Sequence, residues 1–199
     1  MMAFARLRAS AAPCWPALVL LLAGCGDGDV GPNQPPPDDL STPNAAIRAL
    51  ENTYSYREAE AAYALLAPGY RFYPARPEDI PFMEPGQEAW DLAKAKEILD
   101  LLLVEERTTW IDQVLLEVSK IEERDLGEGV VEYEADTQLI VLIGESTLES
   151  SESRIVYRLG PDTDGNYRIL EEREFPSSDE LAKPVALLLA ESIEEGGGG

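Results

Sequence analysis

Apolar residues are spaced in three ways along this chain of 199 residues. They form a solid block near the beginning, recur at helical intervals through the first half, and fall at every second position through the second half. The block covers residues 17–23 and stops just before Gly24-Cys25. It is shorter than the roughly 20 residues a helix needs to cross a hydrocarbon core. Helical spacing sets in at Ser41-Thr42-Pro43, a capping hydroxyl followed by a proline suited to a first helical turn. Ala46, Ile47, Leu50 and Tyr54 then share one helical face. A second short helix is expected over 57–66, with Ala59, Ala62, Tyr63 and Leu66 on one side and Pro68-Gly69 ending it. Residues 70–73, aromatic and brief, read as a strand. A loop broken by Pro74, Pro77, Pro81 and Pro85 follows, and a third helix over about 87–103 would carry Trp90, Ala93, Ile98, Leu101 and Leu102 toward a core.

From Thr108 the period becomes two. Trp110, Asp112, Val114, Leu116 and Val118 fall on one face of a strand, with Gln113, Glu117 and Ser119 on the other. A second strand starts near Val130, where Val131, Tyr133, Ala135, Thr137 and Leu139 alternate with Glu132, Glu134, Asp136 and Gln138. This is the pattern of an antiparallel sheet with one wet face. A third strand is expected over 147–159. The Asp164-Gly165 pair within 162–166 then predicts a hairpin turn into a strand over 167–175. Beyond it, Ser177 and Glu180 form a capping box, and Leu181, Val185, Leu188 and Leu189 share a helical face, with Pro184 kinking or restarting that helix. The fold class is therefore α+β. Such a C-terminal helix either packs back on its own domain or meets a partner.

Charge narrows the partners. The chain has 38 acidic and 16 basic residues, no histidine and a formal charge of -22. Nucleic-acid binding needs clustered Lys and Arg to displace counterions, so it is excluded as an expectation, and an anionic lipid surface repels the same field. Acidity of this kind bears on solubility rather than on fold. An apolar content of 45% is ample for a core, and the roughly 160 residues from Thr42 onward suit one domain.

The first block acquires a meaning from its flanks. Arg6 and Arg8 make the positive start of an export signal, and small residues close its apolar stretch. Leu22-Ala23-Gly24-Cys25 resembles the lipobox of bacterial lipoproteins at every position. That resemblance implies a diacylglyceryl group on the Cys25 thiol, cleavage between Gly24 and Cys25, and a new amino terminus that can be acylated in turn. Two acyl chains, each methylene worth about 0.8 kcal/mol, suffice to hold a protein on a membrane that no segment spans. Cys14 leaves with the signal, so no thiol pair remains for a disulfide. Arg6 and Arg8 leave as well, without any acid, which takes the formal charge to -24. The expected organisation is a signal over 1–24, a Gly/Pro/Asp tether over 25–41, a domain over 42–175, a helix over 176–193 and a tail over 194–199 unable to pack. Gly26 stands where enteric bacteria place an inner-membrane retention aspartate, which points to the outer membrane of a double-membrane envelope, while Asp27 one place on leaves inner and outer membrane both open.

Pro43-Asn-Ala-Ala-Ile-Arg-Ala-Leu, the run from Tyr54 to Phe72 with its Leu-Leu-Ala-Pro-Gly, Trp90, and Tyr167-Arg168-Ile169-Leu170 together resemble the NTF2-like superfamily, which includes SnoaL-like and ketosteroid-isomerase-like proteins. The resemblance implies a cone, a long curved antiparallel sheet wrapped around three helices and enclosing a pocket, often dimeric through the sheet. In catalytic relatives a buried Asp, His or Tyr acts there as acid or base. Without histidine, a carboxylate and tyrosine pair remains. Asp112 is the candidate, since an acid among Trp110, Val114 and Leu116 would be desolvated and its pKa raised, with Tyr133 on the facing strand. Asp112 reads equally as a strand-entry residue near solvent or beside Arg107. Tyr54, Phe72, Trp90, Trp110, Tyr133 and Tyr157 read either as core or as the lining of an apolar ligand cavity. Asp162, Asp164 and Asn166 depart from the calcium-loop pattern, with Arg173 where its glutamate belongs. Ser150, Ser151 and Ser153 lack a histidine partner. No cofactor or metal is expected. The expected role is non-catalytic binding of a small apolar ligand or an envelope protein, with a carboxylate/tyrosine isomerase or lyase as the alternative.

Overall fold

In the computed structural model of the chain, which describes residues 39–80, 83–107, 109–175, 183–186 and 188, Thr42 opens the first helix by accepting a hydrogen bond from the Ala45 N–H. This helix, α1 (Pro43–Ser55), buries Ala46, Ile47, Leu50 and Tyr54, the face its spacing predicts. The second, α2 (Ala59–Leu65), starts later than expected. Arg57 takes a left-handed φ of 57° that breaks the chain out of α1, and its guanidinium donates to the Ile111 carbonyl at 2.8 Å. Pro68-Gly69 does not end α2. The helix passes directly into β1 (Leu66–Tyr73), which contains both residues at a register shift between Leu66 and Arg71, an irregularity where a proline without an N–H does no harm.

Trp90 is not helical. It belongs to β2 (Trp90–Asp91), paired antiparallel with β1 so that Phe72 and Trp90 are opposite and their rings stack with centroids 4.3 Å apart. The carboxylate of Asp91 accepts from the Lys94 N–H and so caps α3 (Leu92–Leu103), which fixes the helix start beyond the tryptophan.

The remaining strands are β3 (Gln113–Gly127), β4 (Val130–Ile143), β5 (Ser146–Glu149), β6 (Ser153–Pro161) and β7 (Tyr167–Phe175). In β4 the alternation holds as expected, with Val131, Tyr133, Ala135, Thr137, Leu139 and Val141 all buried. The expected third strand is two strands, both on β4. The Ser150 hydroxyl accepts from the Leu139 N–H at 2.9 Å, so a side chain supplies the ladder bond where β5 hands over to β6. In the turn over 162–166 only Gly165 has a positive φ. Asp162 organises it instead, accepting from the N–H groups of Asp164 and Asn166 and from Arg168.

The sheet order is β2-β1-β7-β6-β4-β3, with β5 on β4. Among the described residues only the β1–β7 pair is parallel. One irregularity in β7 decides which of its residues face the core. Leu159 pairs with Ile169 and Arg158 with Glu171, so Leu170 is an extra residue and the strand changes parity there. Gly160 accommodates it, since a Cβ at that position would lie 3.0 Å from the Leu170 Cδ1. Past the bulge, Glu172 and Glu174 face the core.

Helices and the inner sheet face share one hydrophobic core, joined by Val185, Ala186 and Leu188 of the C-terminal segment. That segment is tied to the domain by two bonds between Ser151 and Lys183, one from each backbone N–H. The signal region with Gly24 and Cys25, the tether before residue 39, the Ser177–Glu180 capping box, Leu181, Leu189 and the tail lie outside the described residues. Among the described residues no helix is long and apolar enough to cross a membrane.

Candidate functional site

A narrow cavity with about 40 Å³ accessible to water lies between the helices and the sheet, room for roughly three waters. Leu50 and Tyr54 reach it from α1, Tyr70 and Phe72 from β1, Ile98 and Leu99 from α3, Tyr157 from β6 and Glu172 from β7, with Trp90 and Val185 completing the wall. The lining is apolar apart from one carboxyl and three phenols.

Glu172 is 9% exposed. Its Oε1 accepts a hydrogen bond from the Tyr70 hydroxyl at 2.9 Å, the one hydrogen bond to its side chain among the described residues. Burial pushes its pKa up to about 7, the Tyr70 bond opposes that rise, and the charge of Glu174 adds to it. Tyr70 and Tyr157 are held well above the usual phenol range, first by burial and then by the Glu172 charge. Tyr54 is raised by the same two causes in the same order. The Tyr157 hydroxyl lies 3.2 Å from the Thr137 Oγ1. The three phenols thus keep their protons, and Glu172 is the group that changes charge near neutrality.

Glu174, 3% exposed, sits beside the cavity rather than in its wall. Its Oε1 accepts from the Val185 N–H at 2.7 Å and its Oε2 from the Ala75 N–H at 3.2 Å. The Ser153 hydroxyl and the Ala186 amide are its other hydrogen-bonding neighbours. Burial raises its pKa and these donors pull it back.

Of the six aromatic candidates, Tyr54, Phe72, Trp90 and Tyr157 meet at the cavity, while Trp110 and Tyr133 lie outside it. Trp110 is half-buried, and the Tyr133 hydroxyl donates to Asn44 Oδ1 at 3.3 Å. Asp112 is exposed, so its expected desolvation does not arise. It precedes β3, where its Oδ2 accepts from the Gly144 N–H at 2.5 Å and braces the β4–β5 turn. No Asp112–Tyr133 pair forms. Tyr70, Glu172 and Glu174 were not singled out from the sequence. The two consecutive apolar residues Ile169-Leu170 inside an alternating strand are the signal that parity changes before the glutamates. Among the described residues no group of three or more His, Cys, Asp or Glu is arranged to hold a metal ion.

No family model matches the chain, and no curated protein matches its sequence. Solved structures do match its shape. The beta subunit of benzoate 1,2-dioxygenase from Burkholderia mallei superposes with a TM-score of 0.56 at 10% identity, over 74% of this chain and 96% of that one. A candidate scytalone dehydratase from Novosphingobium aromaticivorans gives 0.52 at 11% identity, over 71% and 89%. ActVI-ORFA from Streptomyces coelicolor gives 0.50 at 10% identity, over 66% and 91%. At such identities the likeness concerns the fold.

Proposed function

We propose that this chain, which has the NTF2-like cone fold of three helices and a strongly curled mixed sheet, binds a small apolar molecule carrying one hydrogen-bonding oxygen, and that a lipid on Cys25 holds it to a bacterial envelope membrane. The observation that carries the binding reading is Glu172. A carboxyl buried among apolar side chains costs stability unless hydrogen bonds offset it, and this one takes a single hydrogen bond from Tyr70 while facing the cavity. Protonated, it can donate to a ligand carbonyl or hydroxyl, and Tyr54 lines the same cavity. The present volume admits water-sized occupants, so a larger ligand enters by moving a side chain of the wall.

Trp90 makes occupancy readable. In a Trp110→Phe variant it is the only tryptophan after Cys25, and its stack on Phe72 borders the cavity. Titration with small ketones and phenols should give a saturable fluorescence change, weakened at least tenfold in Glu172→Leu. A flat response across such a panel, together with an empty protein by native mass spectrometry after purification from its host, would reject the reading.

A second reading is favoured by the pKa of about 7 on Glu172. A general acid or base is most effective when it titrates near the working pH, so the same residue suits proton transfer on a bound carbonyl compound. Deuterium exchange at the α-carbon of a bound ketone, faster with wild type than with Glu172→Gln, would distinguish an enzyme from a binding protein.

A further inference from the structure

The two inward glutamates of β7 are treated differently by their surroundings, and the difference connects the cavity to the C-terminal segment. Glu172 has one neutral donor, the Tyr70 hydroxyl. Glu174, two residues on and on the same face, is met by backbone N–H groups from two separate parts of the chain: Ala75, just after β1, and Val185 with Ala186, at the first turn beyond Pro184. Backbone amides cannot give up their protons, so they favour the ionised form of the carboxylate they hold. The ion pairs of the neighbouring arginines run to other acids. From α1 the cavity receives Tyr54, from β1 Tyr70 and from β6 Tyr157, while α3 and β3 contribute only apolar side chains. Arg173 turns outward to Glu171 and the Tyr73 ring, Arg154 pairs with Glu134, and Arg76 with Asp79. The charged residue of the C-terminal segment among those described is Lys183, whose backbone bonds to Ser151.

We propose that Glu174 is a positioning residue: by holding its charge against the amides of Ala75, Val185 and Ala186 it seats the C-terminal segment on the cone and keeps the shared proton of the pair on Glu172. Two like charges on adjacent inward positions of one strand disfavour double ionisation, and the carboxylate with the amide donors is the one that stays ionised. Val185 is at once a ligand of Glu174 through its N–H and a wall of the cavity through its side chain. The state of the ligand-facing acid is therefore linked to the seating of the segment. The linkage is reciprocal, since whatever lifts Val185 and Ala186 away removes two donors, lets Glu174 take up a proton more readily, and so eases ionisation of Glu172.

This inference rests on the proposed site at Glu172, but its test needs no ligand, so it can fail while binding stands. Full-length protein carrying glutamate labelled with ¹³C at the carboxyl is titrated by NMR, with Glu172→Gln and Glu174→Gln assigning the two resonances. In wild type the Glu174 resonance should titrate below that of Glu172. In Glu174→Gln the Glu172 midpoint should fall by about one pH unit, and in Glu174→Asp it should return part of the way. A folded Glu174→Gln protein with an unmoved Glu172 midpoint overturns the proposal. Should that variant not fold, wild type decides by hydrogen exchange. Protection of the Val185 and Ala186 amides should persist through the Glu172 titration and vanish at the lower pH where Glu174 is protonated. Loss of that protection together with the Glu172 midpoint overturns the proposal equally.

Discussion

Glu172 holds a proton near neutrality because burial removes its charge from water and a neighbouring charge, that of Glu174, has the same sign. The consequence for stability has a definite direction. A carboxyl whose folded pKa is about 7 against an ordinary value of 4.5 binds its proton more tightly folded than unfolded. Its contribution is therefore full below about pH 4.5 and is lost as pH rises through 7. The difference corresponds to about 3 kcal/mol. Thermal unfolding followed by circular dichroism should show Tm falling across that interval in wild type, with the fall largely absent in Glu172→Gln. Tyr70→Phe removes the one hydrogen bond to this acid and should destabilise the fold by about 1–2 kcal/mol, measured as a shift in urea midpoint at unchanged slope. At this scale the sequence was half legible. Tyr54, Phe72, Trp90 and Tyr157 announce themselves as large apolar rings at inward positions. Glu172 and Glu174 do not, because strict alternation from Ile169 would turn Glu171 and Arg173 inward, and only the extra residue Leu170 reverses the faces.

The elements are legible where one residue acts alone and hidden where pairing decides. Thr42 as a cap, the alternation of β4 and the inward face of α1 follow from local chemistry. The length of α3 does not: helical spacing extends back through Trp90, but Asp91 satisfies the Lys94 N–H and stops the helix there, leaving the tryptophan to pair with Phe72. Likewise the break between β5 and β6 depends on a bond that the Ser150 hydroxyl accepts from the Leu139 N–H of β4, and no local pattern reveals it. The Asp91 cap should be worth about 1 kcal/mol, measured as the loss of unfolding free energy in Asp91→Ala. Trp90→Ala, which removes a residue only 3% exposed and its stack on Phe72, should cost about 3–5 kcal/mol. A smaller loss would mean that the cone collapses readily around that side of the cavity.

For the whole molecule the expected address and the described cone are independent, and each can be attacked separately. Changing Cys25 to Ser should leave the folded domain intact while abolishing lipidation, which Triton X-114 partitioning and the mass of the processed protein would both register. An unchanged partition would refute the anchor without touching the cavity. The cone itself carries a constraint on when it can form. Its last strand, β7, is central, lying between β1 and β6, and its parallel partner β1 ends about a hundred residues earlier, as the pairing of Tyr73 with Arg173 shows. Contacts so distant along the chain are slow to make, and this one cannot begin until the chain has been made beyond Tyr167. Until then the helices and the β3–β4 hairpin exist without a closed core. A chain cut before Tyr167 should therefore lack the strand that joins the two halves of the sheet, leaving β1 and β6 without their shared neighbour.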